Sequence, residues 1–363
     1  MTSSRLGSYR AKRDFASTPE PSGDAADGTS REEAPRFVVH EHHARALHWD
    51  LRLERDGALV SWAIPKGMPR DPSSNHLAVP TEDHPLSYLE FSEEIPRGNY
   101  GAGRMSIWDR GTYDCHKWDE REVSVTFHGG RLTGRHVLFE TREGRWMIHR
   151  VDPPDDPGRE QMPSRIEPML ATLAQEPPSD GWAFEVKWDG VRAIAFVAAG
   201  RLRLQGRTGA DFTRQYPEVR GLGEELSDHD LVLDGEVVAL DDRGVADFGL
   251  LQPRMHGTGD LRRRVQEAPV TYMIFDLLYL DGHVIMELPY SDRRRLLDGL
   301  GLAGPAWQTP ASHVGDGPAL LAASKERGLE GLVAKRVDST YEPGRRSRSW
   351  LKVKNRMSQE FVV

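Results

Sequence analysis

Between residues 40 and 54 the chain reads His40-Glu-His42-His43-Ala-Arg-Ala-Leu-His48-Trp-Asp50-Leu-Arg52-Leu-Glu54. Alternate residues of a strand share a face, so Leu47, Trp49, Leu51 and Leu53 are expected toward a core, with His48, Asp50, Arg52 and Glu54 on the other side. His42 falls on a neighbouring strand across a short connection. Two imidazoles and a carboxylate on adjacent strands make a three-ligand site with open positions, suited to Mn²⁺, Zn²⁺ or Fe²⁺. Arg52, one step further along that face, is placed to hold an anion beside the ion. An isolated H-x-D is more often a solvated or hydrogen-bonded strand face. Lys66, His76, His84 and Tyr88, in the same stretch of chain, add general-acid and phosphate-binding chemistry. A non-haem iron oxygenase uses a similar ligand set, but nothing else here suggests an oxo-acid cofactor.

A second group begins at Phe184-Glu185-Val-Lys187-Trp-Asp189-Gly190-Val-Arg192, which reads as a strand, an Asp-Gly turn and a returning strand. Glu185 and Lys187 share a face. K-x-D-G alone is weak and fits a surface lysine, but further groups follow in order: Gly206-Arg207, Leu233-Asp-Gly-Glu236, Phe275-Asp276, Glu330 to Lys335, and Lys352-Val-Lys354. Nucleotidyl transfer needs a nucleophile, cations on the α-phosphate, a metal and a purine clamp. A lysine with an ordinary pKa of about 10.4 attacks only after losing its proton. Lys352 and Lys354, alternating onto one strand face, suit both lowering that pKa and neutralising phosphate oxygens. Glu236 and Glu330 are carboxylates able to hold Mg²⁺ directly or through water, and Phe275 offers adenine a flat face. Each residue taken singly fits a core aromatic or a surface ion pair as well.

The elements that must position these residues fall into two domains within 363 residues. Residues 36–151 show short alternating strands bounded by Gly, Pro or Asp, which argues an all-β, closed or nearly closed barrel. Residues 168–363 mix strands with helical stretches at Tyr216 to Leu226 and Ser291 to Leu300, an α+β domain. Residues 1–35 are expected to be a mobile arm, because 15–35 are too polar to repay ordering, and 152–167 a proline-rich linker. The net charge of −8 excludes a uniformly basic nucleic-acid binder. The last 33 residues nevertheless carry eight Lys/Arg against three acids, a local basic cluster or simply a solvated tail. One cysteine, Cys115, excludes an intramolecular disulfide and fits a reducing cytosol. With no signal peptide and no apolar run of membrane length, the expected location is cytoplasmic.

Four strings, Phe37 to Arg52, "WAIPKG", "EDHPLSY" and "IPRGNYGAGRMSIWDRGTY", together resemble the 3′-phosphoesterase module of bacterial end-joining ligases of the ligase D type, over nearly all of residues 5–151. The resemblance implies Mn²⁺-favouring removal of 3′-phosphates and 3′-ribonucleosides from DNA ends. It implies His42, His48 and Asp50 as metal ligands, Arg52 and His84 as scissile-phosphate contacts, and Tyr88 and Lys66 as further functional positions. "KRDFASTPEP" also matches, so Arg13, Asp14 and Glu20 are expected to fold back onto the site. His76 stands where the family pattern leads us to expect an arginine. "PMLATLA", "FEVKWDGVR", "FDLLYLDG", "GLVAKR" and "SWLKVKN" resemble motifs I to V of the covalent nucleotidyltransferases, specifically the ATP-dependent DNA ligases of the ligase D group, over about residues 166–357. This implies an ATP-grasp-like nucleotidyltransferase domain with Lys187 as the AMP-accepting nucleophile. Glu185 would lie near adenine, Arg192 and Arg207 near ribose or the nick phosphate, Phe275 against the purine and Lys335 near the nucleotide. Glu236 and Glu330 would hold Mg²⁺ or Mn²⁺, with Lys352 and Lys354 on the α-phosphate. DNA ends and nicks, a Ku-type end-binding protein and a separate polymerase are the implied partners, and a nucleoid-associated location follows. The chain stops soon after Lys354, so an OB-fold and a polymerase module are expected to be absent, which suggests a fragment, a truncated product or a partner-dependent core. The competing readings are an end-binding phosphoesterase scaffold whose ligase half is inactive, and an RNA ligase or capping enzyme, which the phosphoesterase barrel disfavours.

Overall fold

A computed structural model describes residues 5–23, 34–256 and 260–355. The chain divides into two compact units with the boundary between Pro157 and Gly158.

In the first unit an antiparallel sheet of ten strands is built around Arg36–His43, which pairs with Leu47–Arg55 on one side and Gly103–Trp118 on the other. Its two ends meet in one short segment. His76–Leu77 pairs with Trp146–Arg150, Val79–Pro80 pairs with Ala58–Ile64, and only Ala78 separates them, so the sheet is nearly closed. Cross-strand partners share a face, which puts Phe37 with Leu53, Val39 with Leu51, and Leu51 with Trp62 in a buried apolar layer. The opposite face carries the polar series: His42 opposite His48, His40 opposite Asp50, and Arg52 opposite Ser61.

That second face is covered rather than solvated. The helix Gly7–Ala11 and the 3₁₀ turn Leu86–Glu90 bring Tyr9, Leu86, Tyr88 and Leu89 onto Val38 and Leu59 in a second apolar cluster. Tyr9 is fully buried and its hydroxyl donates to the Pro21 carbonyl at 2.6 Å. The mobile arm expected over 1–35 therefore does not hold for residues 5–23, because one buried aromatic and a set of ion pairs repay the ordering that composition alone argued against. The rest of that expectation, at 1–4 and 24–33, lies outside the described residues.

The second unit contains two sheets. One has five strands, including Trp182–Val186, Gly331–Arg336 and Arg346–Lys354, and the other seven, including Val191–Ala198, Leu231–Ala239 and Val270–Leu280. Ile194, Phe196, Val232 and Phe275 from the larger sheet pack with Trp350 from the smaller and with Tyr341. Leu251 and Leu297, from the helices Phe248–His256 and Tyr290–Gly299, join a separate cluster with Leu204 and Leu233 of the larger sheet. This is α+β, as expected. The single helix expected over 216–226 is a 3₁₀ turn at Pro217–Arg220 followed by a five-residue helix at Gly221–Glu225, since Pro217 and two glycines weaken a continuous helix. The expected linker is also shorter than 152–167. Arg159 donates to the Asp281 carbonyl at 2.9 Å, Tyr279 donates to the Glu160 carbonyl at 2.9 Å, and Ile166 is buried, so residues 159–166 are fastened to the second unit.

Candidate metal centre and nucleotide cleft

His42, His48 and Asp50 offer one ligand atom each, all within 4.8 Å of one another. His42 Nδ1 and His48 Nε2 each lie 3.6 Å from an Asp50 carboxylate oxygen. The outer ring nitrogens fix the tautomers. His42 Nε2 lies 2.9 Å from the Gly101 carbonyl and His48 Nδ1 lies 3.0 Å from the Ala46 carbonyl. A carbonyl only accepts, so those outer nitrogens carry protons, and Nδ1 of His42 and Nε2 of His48 are the nitrogens turned toward Asp50 and available to a metal. Burial would raise the Asp50 pKa, but the Arg52 guanidinium and the two imidazoles hold it well below the usual carboxylate range. Two oriented imidazoles and one ionised carboxylate with open positions fit a borderline divalent ion.

Beside this triad lies a cationic cluster. Arg52, 2% exposed, donates to Asp50 at 3.0 Å and to Ser61 Oγ at 3.1 Å, and its guanidinium lies 4.9 Å from the Tyr88 ring centre. His84 Nδ1 donates to the Glu82 carbonyl at 2.8 Å, leaving Nε2 to accept from Arg13 Nη2 at 3.3 Å. Burial, reinforced by Arg52 and Arg13, pushes the His84 imidazole well below its ordinary pKa, so it is neutral. Arg13 also pairs with Glu20 at 2.7 Å and Glu82 at 2.9 Å, and Tyr88 donates its hydroxyl to Glu20. Arg13 and Glu20 thus belong to the cluster. Asp14 does not: it is exposed and caps a local turn through the Ala16 amide. Lys66 is exposed, and the His76 Nδ1 hydrogen bond goes to the Gly67 carbonyl at 2.7 Å on the barrel-closing segment. Ser61, Glu82 and the Gly101 carbonyl were missed in the sequence. Only Ser61 left a signal there, as the polar member of an otherwise apolar strand.

In the second unit a cavity of about 220 Å³ is lined by Glu185, Lys187, Arg192, Arg207, Glu236, Phe275, Lys335 and Lys352, together with Trp188, Arg346 and Trp350. The Asp-Gly turn follows directly on the lining residues Lys187 and Trp188. A Cβ on Gly190 would sit 2.2 Å from the Val237 carbonyl, so only glycine lets this turn lie against the Leu231–Ala239 strand. Lys187 is paired with Glu330, whose other oxygen accepts from Lys354 at 2.9 Å. Both Glu330 oxygens are thereby engaged by lysines, whereas Glu236 lines the cavity and burial pushes its pKa up to about 7 despite Arg192 and Lys187. Lys352 is lowered by burial and by the like charges of Lys187, Arg346 and Lys354.

Phe275 forms one wall. The Arg192 guanidinium lies 4.6 Å from its ring centre and is held by Asp234 through two 2.6 Å hydrogen bonds. Lys335 is 1% exposed and donates to Glu185 at 2.9 Å and to the Phe275 carbonyl at 2.8 Å, and burial lowers its pKa. Tyr290 and Arg294, from the helix behind the pocket, both donate to Glu185 Oε1. Tyr290 and Arg294 were not singled out in the sequence, because they reach Glu185 from a segment more than a hundred residues away, whereas Trp350 and Asp234 lie within the strings quoted there but were given no role.

Residues 40–140 match the DNA Ligase D 3′-phosphoesterase domain and residues 168–354 the ATP dependent DNA ligase domain. The chain is 45% identical over 365 residues to the multifunctional non-homologous end joining protein LigD of Mycobacterium bovis, covering 99% of this chain and 46% of that one. With the corresponding protein of Pseudomonas aeruginosa it is 35% identical over 425 residues, covering 100% and 49%. It spans about half the length of these curated relatives. The solved ligase domain of Mycobacterium tuberculosis LigD is 42% identical over 52% of this chain and 60% of that chain, with a TM-score of 0.47.

Proposed function

The chain belongs to the bacterial ligase D family of ATP-dependent DNA ligases, and on that premise we propose that it heals and seals DNA ends with two separate sites. The observation that carries the first activity is the pair of imidazoles whose outer nitrogens are held by backbone carbonyls, so that their other nitrogens converge with Asp50 within 4.8 Å. His42, His48 and Asp50 would hold Mn²⁺, which would supply Lewis-acid polarisation of a phosphoryl oxygen or an activated water. Arg52, Arg13 and neutral His84 bind the oxygens of a 3′-terminal phosphate or phosphodiester, and Tyr88 keeps Glu20 and Arg13 in place.

In the second unit, read as an ATP-grasp-like nucleotidyltransferase, ATP places adenine against Phe275 with Glu185 and Lys335 at its edge, and its α-phosphate toward Lys352 and Lys354. Lys187 Nζ must first leave its pairing with Glu330 and lose its proton to solvent. The nitrogen then attacks the α-phosphorus, the N–P bond forms, and the bond to pyrophosphate breaks. The AMP passes to a 5′-phosphate, and the 3′-hydroxyl across the nick displaces it. Glu236, with Glu330 once released from its lysines, holds Mg²⁺ or Mn²⁺. Arg192 and Arg207 face the ribose or the nick phosphate. The same reading puts the protein in the cytoplasm at the nucleoid, on DNA ends and nicks, with a Ku-type protein and a separate polymerase as partners.

The experiment pairs two assays on the purified chain. Incubation with ATP radiolabelled at the α-phosphate should label the protein, and Lys187→Ala should remove the label. Mn²⁺ should support release of 3′-phosphate from a recessed DNA end. A chain that takes no label and releases no phosphate refutes the proposal.

A further inference from the structure

Tyr100 is 50% exposed. It sits where two parts of the first site meet. On one side, the carbonyl of the next residue, Gly101, fixes the tautomer of His42. On the other, the Arg13 guanidinium lies 5.5 Å from the Tyr100 ring centre while donating to His84. Lys12 Nζ lies 4.7 Å from the same ring centre and is itself held by Glu82 at 2.9 Å.

The loop is also tied to the N-terminal segment. Asn99 Oδ1 accepts from Ser17 Oγ at 2.7 Å, and Asn99 Nδ2 donates to the Ser17 carbonyl at 3.1 Å, so the N-terminal segment clamps the residue before Tyr100. A ring flanked by cations and half-exposed at the rim of a phosphate-binding cluster suits stacking with a flat aromatic group attached to that phosphate. On a DNA end, that group is the base of the terminal nucleoside.

We infer that Tyr100 is the base-stacking subsite of the phosphoesterase, receiving the nucleobase of the 3′-terminal nucleoside while Arg52, His84 and Arg13 hold its phosphate. This rests on the phosphoesterase reading above and adds the element by which the site distinguishes a nucleic-acid end from a bare phosphoester. Stacking is tolerant of base identity because every base has a π face, so the subsite selects for the presence of a base, not for its sequence.

The test is a cycle between protein and substrate with the full chain and Mn²⁺. Recessed 3′-phosphate primers carry either a normal terminal base or an abasic tetrahydrofuran residue, and wild type is compared with Tyr100→Ala and Tyr100→Phe. Tyr100→Ala should lower kcat/KM about tenfold on the base-bearing end and leave the abasic end within about twofold, while Tyr100→Phe behaves as wild type. Equal losses on both ends, or no loss on either, overturn the inference. A second readout needs no catalysis: with a chelator present, wild type should quench a terminal 2-aminopurine and Tyr100→Ala should not. Quenching by a wild-type protein that releases no phosphate would sink the phosphoesterase reading and leave the subsite standing. Active protein without coupling or quenching sinks the subsite alone.

Discussion

His42 and His48 turn different ring nitrogens toward Asp50, and the choice is made by two backbone carbonyls rather than by the histidines themselves. The H-x-D spacing marked His48 and Asp50 as candidate ligands in the sequence because a period of two is visible there. The carbonyls that select the tautomer belong to a loop nearly sixty residues away and to a tight turn, and no spacing rule finds them. Losing one of three ligands costs more than losing the support of a ligand, itself worth about 10- to 100-fold. His48→Ala should therefore reduce Mn²⁺-dependent 3′-phosphate release by at least about 100-fold, and retained release would remove the triad from the chemistry. In the nucleotide cleft the same logic points to Tyr290. Its hydroxyl donates to Glu185, and a hydrogen bond to a charged group is worth about 1.5–3 kcal/mol. Tyr290→Phe should raise the KM for ATP about tenfold in the adenylation step with kcat little changed. A fall in kcat at unchanged KM would mean that Tyr290 does not act through the nucleotide pocket.

At the scale of elements, the N-terminal segment is where composition misled most. Residues 15–35 are polar enough to have argued a mobile arm over 1–35, yet in the described part Tyr9 is buried against Val38 and Tyr88, and Arg13 bridges Glu20, Glu82 and His84. A single aromatic anchor is invisible to a composition window, whereas the alternating strands around it were legible because their apolar faces repeat. Removing a buried aromatic side chain costs about 3–5 kcal/mol. Tyr9→Ala should release the segment and with it Arg13 and Glu20, reducing 3′-phosphate release and making the chain cleavable by trypsin near Arg13. Unchanged activity would show that the segment is not needed at the site. The strand Thr133–Glu140 carries a second consequence. His136 is fully buried, and although the Gly134 and Pro69 carbonyls favour its charged form, burial prevails and pushes its pKa down to about 4. A pKa depressed on folding adds stability above the unfolded value of about 6.5 that is lost as pH falls toward 4. Wild type should lose a few kcal/mol over that window relative to His136→Gln, read by denaturant unfolding at pH 7 and pH 4. A constant difference between the two proteins would show that His136 titrates normally.

For the whole molecule, the relevant fact is that each unit has its own core and its own group of site residues on one side of the Pro157/Gly158 boundary. The two-domain division was legible from the change from short alternating strands to mixed helices and strands. The boundary falls within the expected 152–167 segment, but that Arg159 and Ile166 are fastened to the second unit was not legible, because their partners lie more than a hundred and nearly thirty residues away respectively. Ligand linkage makes the division measurable. A ligand at 100 times its Kd stabilises the fold that binds it by about 2.7 kcal/mol, and for a unit of this size each kcal/mol raises Tm by about 3 °C. A non-hydrolysable ATP analogue should raise one thermal transition by about 8 °C and leave the other in place, while Mn²⁺ should move the other. Arg192→Ala should abolish the first shift and His48→Ala the second, since each removes a ligand contact in one unit only. A single transition that both ligands move together would mean that the two units fold as one cooperative body, and the separation of healing from sealing would then have to be sought in chemistry rather than in architecture.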